Sequence, residues 1–96
     1  EVPEATVVVT NPQHFAVALK YLDEKMPAPV VTAKGAGYMA QKIKEIAAEH
    51  QIAVIRQPVL ARALYHQTEP GQELPAQLYQ GVAEIIATVY RQDKNY

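Results

Sequence analysis

The sequence predicts an α/β domain, a small mixed β-sheet of about four strands flanked by helices. Three observations carry that expectation. Strand-like runs over residues 6–10 and 15–19 stand either side of Thr10-Asn11-Pro12-Gln13-His14-Phe15. A strand–helix–strand pattern follows over residues 30–55, and apolar residues recur at helical spacing over residues 75–91.

Each element has a local reason. Thr6-Val7-Val8-Val9-Thr10 is β-branched throughout, and Phe15-Ala16-Val17-Ala18-Leu19 has large apolar residues at every second position with alanine between, the half-buried strand pattern. Between them Asn11 suits the first position of a β-turn and Pro12 presets φ for the second. This hairpin-like unit ends near Tyr21, and the charged Asp23-Glu24-Lys25 follows. Pro27 and Pro29 then force an extended entry to the strand Val30-Val31-Thr32-Ala33.

Lys34-Gly35-Ala36-Gly37 reads as a Gly-rich turn opening a helix from about Ala36 to His50, with Met39, Ile43, Ile46 and His50 at i, i+4, i+7 and i+11. Helix N-termini attract anions, but the glycine spacing fits neither phosphate-binding fingerprint, so a tight turn with close packing is the better reading. His50 is expected beside the helix's negative end. Ile52-Ala53-Val54-Ile55 is the next strand, and a crossover of this length favours parallel strands. Pro58 precedes a short helix over roughly 59–66, with Leu60, Ala63 and Leu64 inward and His66 structural at its end. Thr68-Glu69-Pro70-Gly71 is a turn. The last helix starts near Pro75, a residue suited to the first helical position, and runs to about Arg91. Leu78, Val82, Ile85 and Val89 form one apolar stripe; Tyr79, Ala83, Ile86 and Tyr90 form a second. A surface helix needs one broad apolar face, so the second stripe is either covered by the sheet and a neighbouring helix or exposed for docking. Residues 92–96 read as a frayed tail.

Composition narrows the function. Ninety-six residues make a single domain, 1–96, with 49% hydrophobic and 20% charged residues, a globular balance. A net charge of −1 gives no basis for nucleic-acid binding. There is no cysteine, hence no disulfide framework and no thiolate chemistry. His14, His50 and His66 are dispersed, so no metal site and no cofactor is expected. No apolar run reaches the length of a membrane span. The chain begins at Glu1 without Met and enters a strand almost at once, which reads as a piece of something longer.

The Asn-Pro bond carries the sharpest chemistry. Proline has no N–H, so the usual attack of the following backbone nitrogen on an Asn side chain is closed. The reverse attack remains: the Asn11 side-chain nitrogen closes a succinimide on its own main-chain carbonyl and expels the Pro12 nitrogen, breaking the chain between residues 11 and 12. An amide nitrogen is a poor nucleophile, so the fold must supply orientation and proton transfer; each ~1.4 kcal/mol of help is about tenfold in rate. His14 lies three residues on, within reach across a tight turn, and histidine suits proton transfer near neutral pH. The competing reading is the same turn left intact in a pure binding module. A more distant one is a ligand-binding α/β domain using the turn at Lys34–Gly37.

Asn11-Pro12-Gln13-His14 between a Val-rich strand and Phe15-Ala16-Val17-Ala18-Leu19 resembles the self-cleavage site of the export-switch proteins of bacterial type III secretion, the FlhB/YscU type. The likeness continues in order through Lys25-Met26-Pro27-Ala28-Pro29, Ala33-Lys34-Gly35-Ala36-Gly37, Pro58-Val59-Leu60-Ala61-Arg62-Ala63-Leu64-Tyr65 and Gln77-Leu78-Tyr79, and is greatest to the flagellar branch. The family's usual third residue is Thr, where this chain has Gln13, a longer side chain without the stiffening β-branch. The resemblance implies a cytoplasmic domain, at the inner membrane, of a protein with an N-terminal membrane part of several helices. It implies cleavage at Asn11–Pro12 with Asn11 as nucleophile, Pro12 as leaving group, His14 as proton-transfer aid and Gln13 as a turn residue, serving a switch in the class of exported substrate. The implied partners are export gate proteins, the hook- or needle-length ruler protein and export substrates. Ala28, Pro29, Ala83 and Ile86 are the candidate docking residues.

Overall fold

The computed structural model describes residues 2–12, 14–21 and 28–93. Gln13, the charged Asp23-Glu24-Lys25, Pro27 and the tail residues 94–96 lie outside the described residues. Strands β1 (Val7–Asn11), β2 (Phe15–Lys20), β3 (Val30–Ala36) and β4 (Ala53–Arg56) form one sheet in the order β3-β2-β1-β4. Helix α1 (Tyr38–Glu49) connects β3 to β4; α2 (Pro58–Gln67) and α3 (Tyr79–Asp93) follow, and short 3-10 turns occupy Val2–Glu4 and Ala76–Leu78. β1 pairs antiparallel with β2 and parallel with β4, and β2 pairs antiparallel with β3. The strand–helix–strand unit therefore does join parallel strands, but they are the two edges of the sheet, with the hairpin strands inserted between them.

Both faces of the sheet are covered. Val7, Val9, Val17, Leu19 and Val31 pack with Ala61 and Leu64 of α2 and Val82, Ile85, Ile86 and Val89 of α3. Val8, Ala16 and Ala18 pack with Ala40, Ile43 and Ala47 of α1 and with Val2. The alternation in β2 is thus large residues beneath α2 and α3 and alanines beneath α1, rather than a half-buried strand. Small residues on both sides let α1 lie close to the sheet. Of the expected helical spacing, Ile43 is buried, Ile46 packs beside it and His50 caps the C-terminal end as anticipated, whereas Met39 is 55% exposed and Ala40 and Ala47 complete the inner face.

Lys34-Gly35-Ala36 is strand, not turn, and helix α1 begins only at Tyr38. Gly35 is buried under the start of α1, where only glycine fits, since a Cβ there would lie 2.8 Å from the Cβ of Met39. Gly37 is the residue that turns, with φ +54, a left-handed conformation other residues rarely adopt. A register irregularity opposite Ala18 and Leu19 places Ala33 and Val31 against opposite faces of the sheet. In α2, Ala61 and Leu64 are the fully buried pair, with Leu60 and Ala63 packed partly beside them. Pro75 precedes a 3-10 turn rather than the first turn of α3, and α3 continues through Asp93, beyond the expected start of the tail. Among the described residues, no helix is long and apolar enough to cross a membrane, and no group of three or more His, Asp or Glu is placed to hold a metal.

Candidate functional site

The Asn-Pro turn stands at the tip of the β1–β2 hairpin, in the middle of the sheet. Asn11 pairs with Phe15, the last rung of the ladder, so residues 12–14 make the connection. The His14 backbone N–H donates to the Asn11 carbonyl oxygen at 2.9 Å, closing a β-turn with Pro12 at its second position. That carbonyl is the one a cyclising Asn11 would attack, and a donor already aimed at its oxygen stabilises negative charge as it develops there. Asn11 and Pro12 are half-buried and His14 is exposed. Among the described residues, no hydrogen-bond partner holds the Asn11 side-chain amide.

The surroundings fix this turn from three directions. Beside it, the Gly37 N–H donates to the His14 carbonyl at 3.0 Å, so the positive-φ glycine ties the tip to the start of α1. Beyond β1, the Gln57 N–H donates to the Thr10 carbonyl at 3.0 Å, and the Thr10 side chain is buried. Beneath it lies an aromatic group. The Phe15 ring stacks on Tyr65 of α2 at 4.5 Å between centroids and meets the edge of His66 at 5.3 Å. Strand alternation places Asn11 on that same face as Phe15, its cross-strand partner. The base of the hairpin is closed as well: the Thr6 hydroxyl accepts from the Tyr21 N–H at 2.9 Å.

Sequence reasoning placed Asn11, Pro12 and His14 together and missed the supports. Lys34 is the clearest omission. Its ammonium donates to the carbonyls of Tyr65 and Thr68, both at 2.7 Å, pairs with Glu69 at 3.3 Å and lies 4.9 Å from the centre of the Tyr65 ring. The lysine at the Gly-rich segment is thus committed to α2, and Gly37 to the hairpin. The one available signal was Phe15 preceding, at a distance, the adjacent rings of Tyr65 and His66, a pattern that only the tertiary fold assembles. His66 is accordingly part of the platform under the turn, not simply the end of a helix.

A second feature lies away from the turn. Ala28 and Pro29, at the entry to β3, line an apolar groove whose other wall is the second stripe of α3, including Tyr79, Ala83, Ile86 and Tyr90. The four candidate docking residues are therefore brought together. Their exposure differs: Ala28 and Pro29 are half-buried and Ala83 is exposed, whereas Ile86 is only 5% exposed and belongs to the core beneath α3. The second stripe is mixed, with Tyr79 46% exposed and Ile86 inside, because the helix turns Ile86 toward the boundary with the first stripe.

A four-stranded mixed sheet flanked by three helices is also the fold of solved EscU and FlhB C-terminal domains. The cytoplasmic domain of FlhB from Shewanella putrefaciens matches with a TM-score of 0.88 and 47% identity over 94% of this chain and 69% of that one. A mutated EscU C-terminal domain matches with a TM-score of 0.88 and 32% identity over 92% of this chain and 88% of that one. The chain belongs to the FlhB HrpN YscU SpaS family, whose model matches residues 1–89. The flagellar biosynthetic protein FlhB of Aquifex aeolicus is 58% identical over 100% of this chain and 28% of its own length. That of Salmonella typhimurium is 54% identical over 95% of this chain and 24% of its own length. The chain thus spans about a quarter of the length of the curated relatives it matches.

Proposed function

We propose that this chain is a self-cleaving domain of the flagellar type III protein export apparatus, cut once between Asn11 and Pro12, and that the cut participates in switching the class of exported substrate. Its setting is the cytoplasmic face of the bacterial inner membrane, as part of a longer membrane protein. Gate proteins of the apparatus, the hook- or needle-length ruler protein and the export substrates are its partners. Family membership supports the apparatus. The observation that carries the chemistry is the His14 N–H on the Asn11 carbonyl oxygen at 2.9 Å, within a turn whose leaving residue is proline.

The reaction balances without any cofactor. The Asn11 side-chain nitrogen forms a bond to the Asn11 carbonyl carbon and loses a proton. Negative charge collects on the carbonyl oxygen, facing the His14 N–H. The bond to the Pro12 nitrogen then breaks, and that nitrogen takes up a proton and leaves as a secondary amine. The exposed His14 imidazole carries the proton between the two nitrogens. Water later opens the succinimide to leave a carboxylate on residue 11. Gln13 tunes the turn without taking part in the bond changes. Crystallised variants of EscU are altered at an Asn and at the Pro next to it, which also supports reading an Asn-Pro pair as a functional unit in this fold.

The groove between Ala28-Pro29 and α3 is the docking surface of this proposal, with Ala83 as its accessible contact and Ile86 as its floor. A switch acts on partners only through contacts that differ between cut and uncut forms. Intact mass after denaturation tests the reading. The parent yields a piece ending at Asn11 and a piece beginning at Pro12, and Asn11→Ala stays whole. An uncut parent would leave the alternative of a binding module with an intact turn.

A further inference from the structure

We propose that Lys34 is a positioning residue for the self-cleaving turn and acts through the ring of Tyr65. The inference rests on the cleavage reading above. Lys34 pairs with Val17 across β2 and β3, so its side chain projects from the sheet toward α2. Its side chain is 18% exposed, and its ammonium bridges the carbonyls of Tyr65 and Thr68 at the C-terminal end of α2. Those carbonyls lack partners within the helix, and a cation is favoured at that end. Capping alone would make Lys34 a structural residue.

The arrangement does more than cap. The same ammonium lies 4.9 Å from the centre of the Tyr65 ring, and that ring stacks on Phe15 at 4.5 Å with an interplanar angle of 26°. Phe15 is the rung that pairs with Asn11. A connected path therefore runs from the Lys34 ammonium through two aromatic rings to the residue opposite the attacking asparagine. With the ring of Tyr65 released, Phe15 loses the wall that fixes the first residue of β2, and the Asn11 carbonyl loses its fixed position relative to its own side chain. Cyclisation is sensitive to such looseness, since a displacement of about 1 Å can cost a factor of ~100.

The test uses time courses of cleavage by mass spectrometry, under conditions where circular dichroism shows each variant fully folded. Lys34→Met cleaves about tenfold more slowly than the parent, and Lys34→Arg, which keeps the cation, recovers most of the rate. Tyr65→Leu slows cleavage to a similar extent. In the Tyr65→Leu background, adding Lys34→Met produces no further slowing, because the route through the ring is already gone. A purely structural role predicts a lower unfolding midpoint with an unchanged rate in the folded molecule, and that outcome overturns the inference. Full multiplication of the two slowings overturns the route through Tyr65. If Lys34→Met does not fold, Tyr65→Leu cleaving at the parent rate is the overturning result. A parent that never cleaves removes the cleavage reading itself, whereas a parent that cleaves beside an unaffected Lys34→Met removes only the role of Lys34.

Discussion

The proposed cut at Asn11–Pro12 would convert a central strand into a separate peptide, and this carries a thermodynamic signature. β1 lies between β2 and β4, hydrogen-bonded on both edges, and Val7, Val8 and Val9 are fully buried. Each such side chain contributes about 1.5–3 kcal/mol when buried, so the short piece stays bound in the native fold. Once the fold melts, nothing covalent holds it. Unfolding of the cut molecule is then also a dissociation, and its midpoint depends on protein concentration. A tenfold dilution costs the complex about 1.4 kcal/mol. For a domain of this size the unfolding entropy makes that about 7 °C in Tm. Melts followed by circular dichroism at two concentrations tenfold apart measure it. The cut parent shifts by about this amount, and the uncleavable Asn11→Ala chain does not shift. A fixed midpoint for a parent whose mass proves it cut would refute the reasoning, as would an equal shift in Asn11→Ala, which would point to self-association instead.

Other expectations follow from the same geometry. Gln13→Thr cleaves faster than the parent, since a β-branched residue stiffens the turn, while His14→Ala cleaves more slowly without stopping because its backbone N–H remains; mass-spectrometric time courses at one pH decide both. Ile86→Asp melts the domain, because a carboxylate at a site only 5% exposed is forced into the core, whereas Ala83→Asp keeps the native circular dichroism and weakens binding of export substrates in a pull-down or titration. Gly35→Ala destabilises the domain by roughly 1–3 kcal/mol in urea unfolding, because the new Cβ would lie 2.8 Å from Met39 Cβ and 2.9 Å from its backbone carbon.

The parts of this fold that were legible in the sequence are those written in local pattern. The β-branched run at 6–10, the alternation at 15–19 and the Asn-Pro turn between them define the hairpin and its tip, and the stripe Leu78, Val82, Ile85 and Val89 is buried as its spacing predicts. What was not legible depends on how closely elements approach. Alanine ranks low in a hydrophobic pattern, yet Ala16, Ala18, Ala40 and Ala47 form the contact between the sheet and α1, and Met39 faces out. Glycine normally marks a turn, yet Gly35 is in a strand because α1 begins directly over it. Strand order, and with it the central place of β1, has no local signature at all. The site divides in the same way: Asn11, Pro12 and His14 are adjacent in sequence, but Phe15, Lys34, Gly37, Tyr65 and His66 converge only through the packing of α1 and α2 on the hairpin.

The central claim is that Asn11 itself makes the cut, and the mass of the released N-terminal piece tests it most directly. Attack by the Asn11 side chain leaves that piece as a succinimide, lighter by one water than the same peptide with a free carboxylate. Samples quenched in acid early in the time course should contain the lighter form, which then converts to the heavier one as water opens the ring. A piece ending at residue 11 that appears only in its heavier form from the earliest time, together with cleavage persisting at the same bond in Asn11→Ala, would mean that water or another group cuts the chain and would contradict the account.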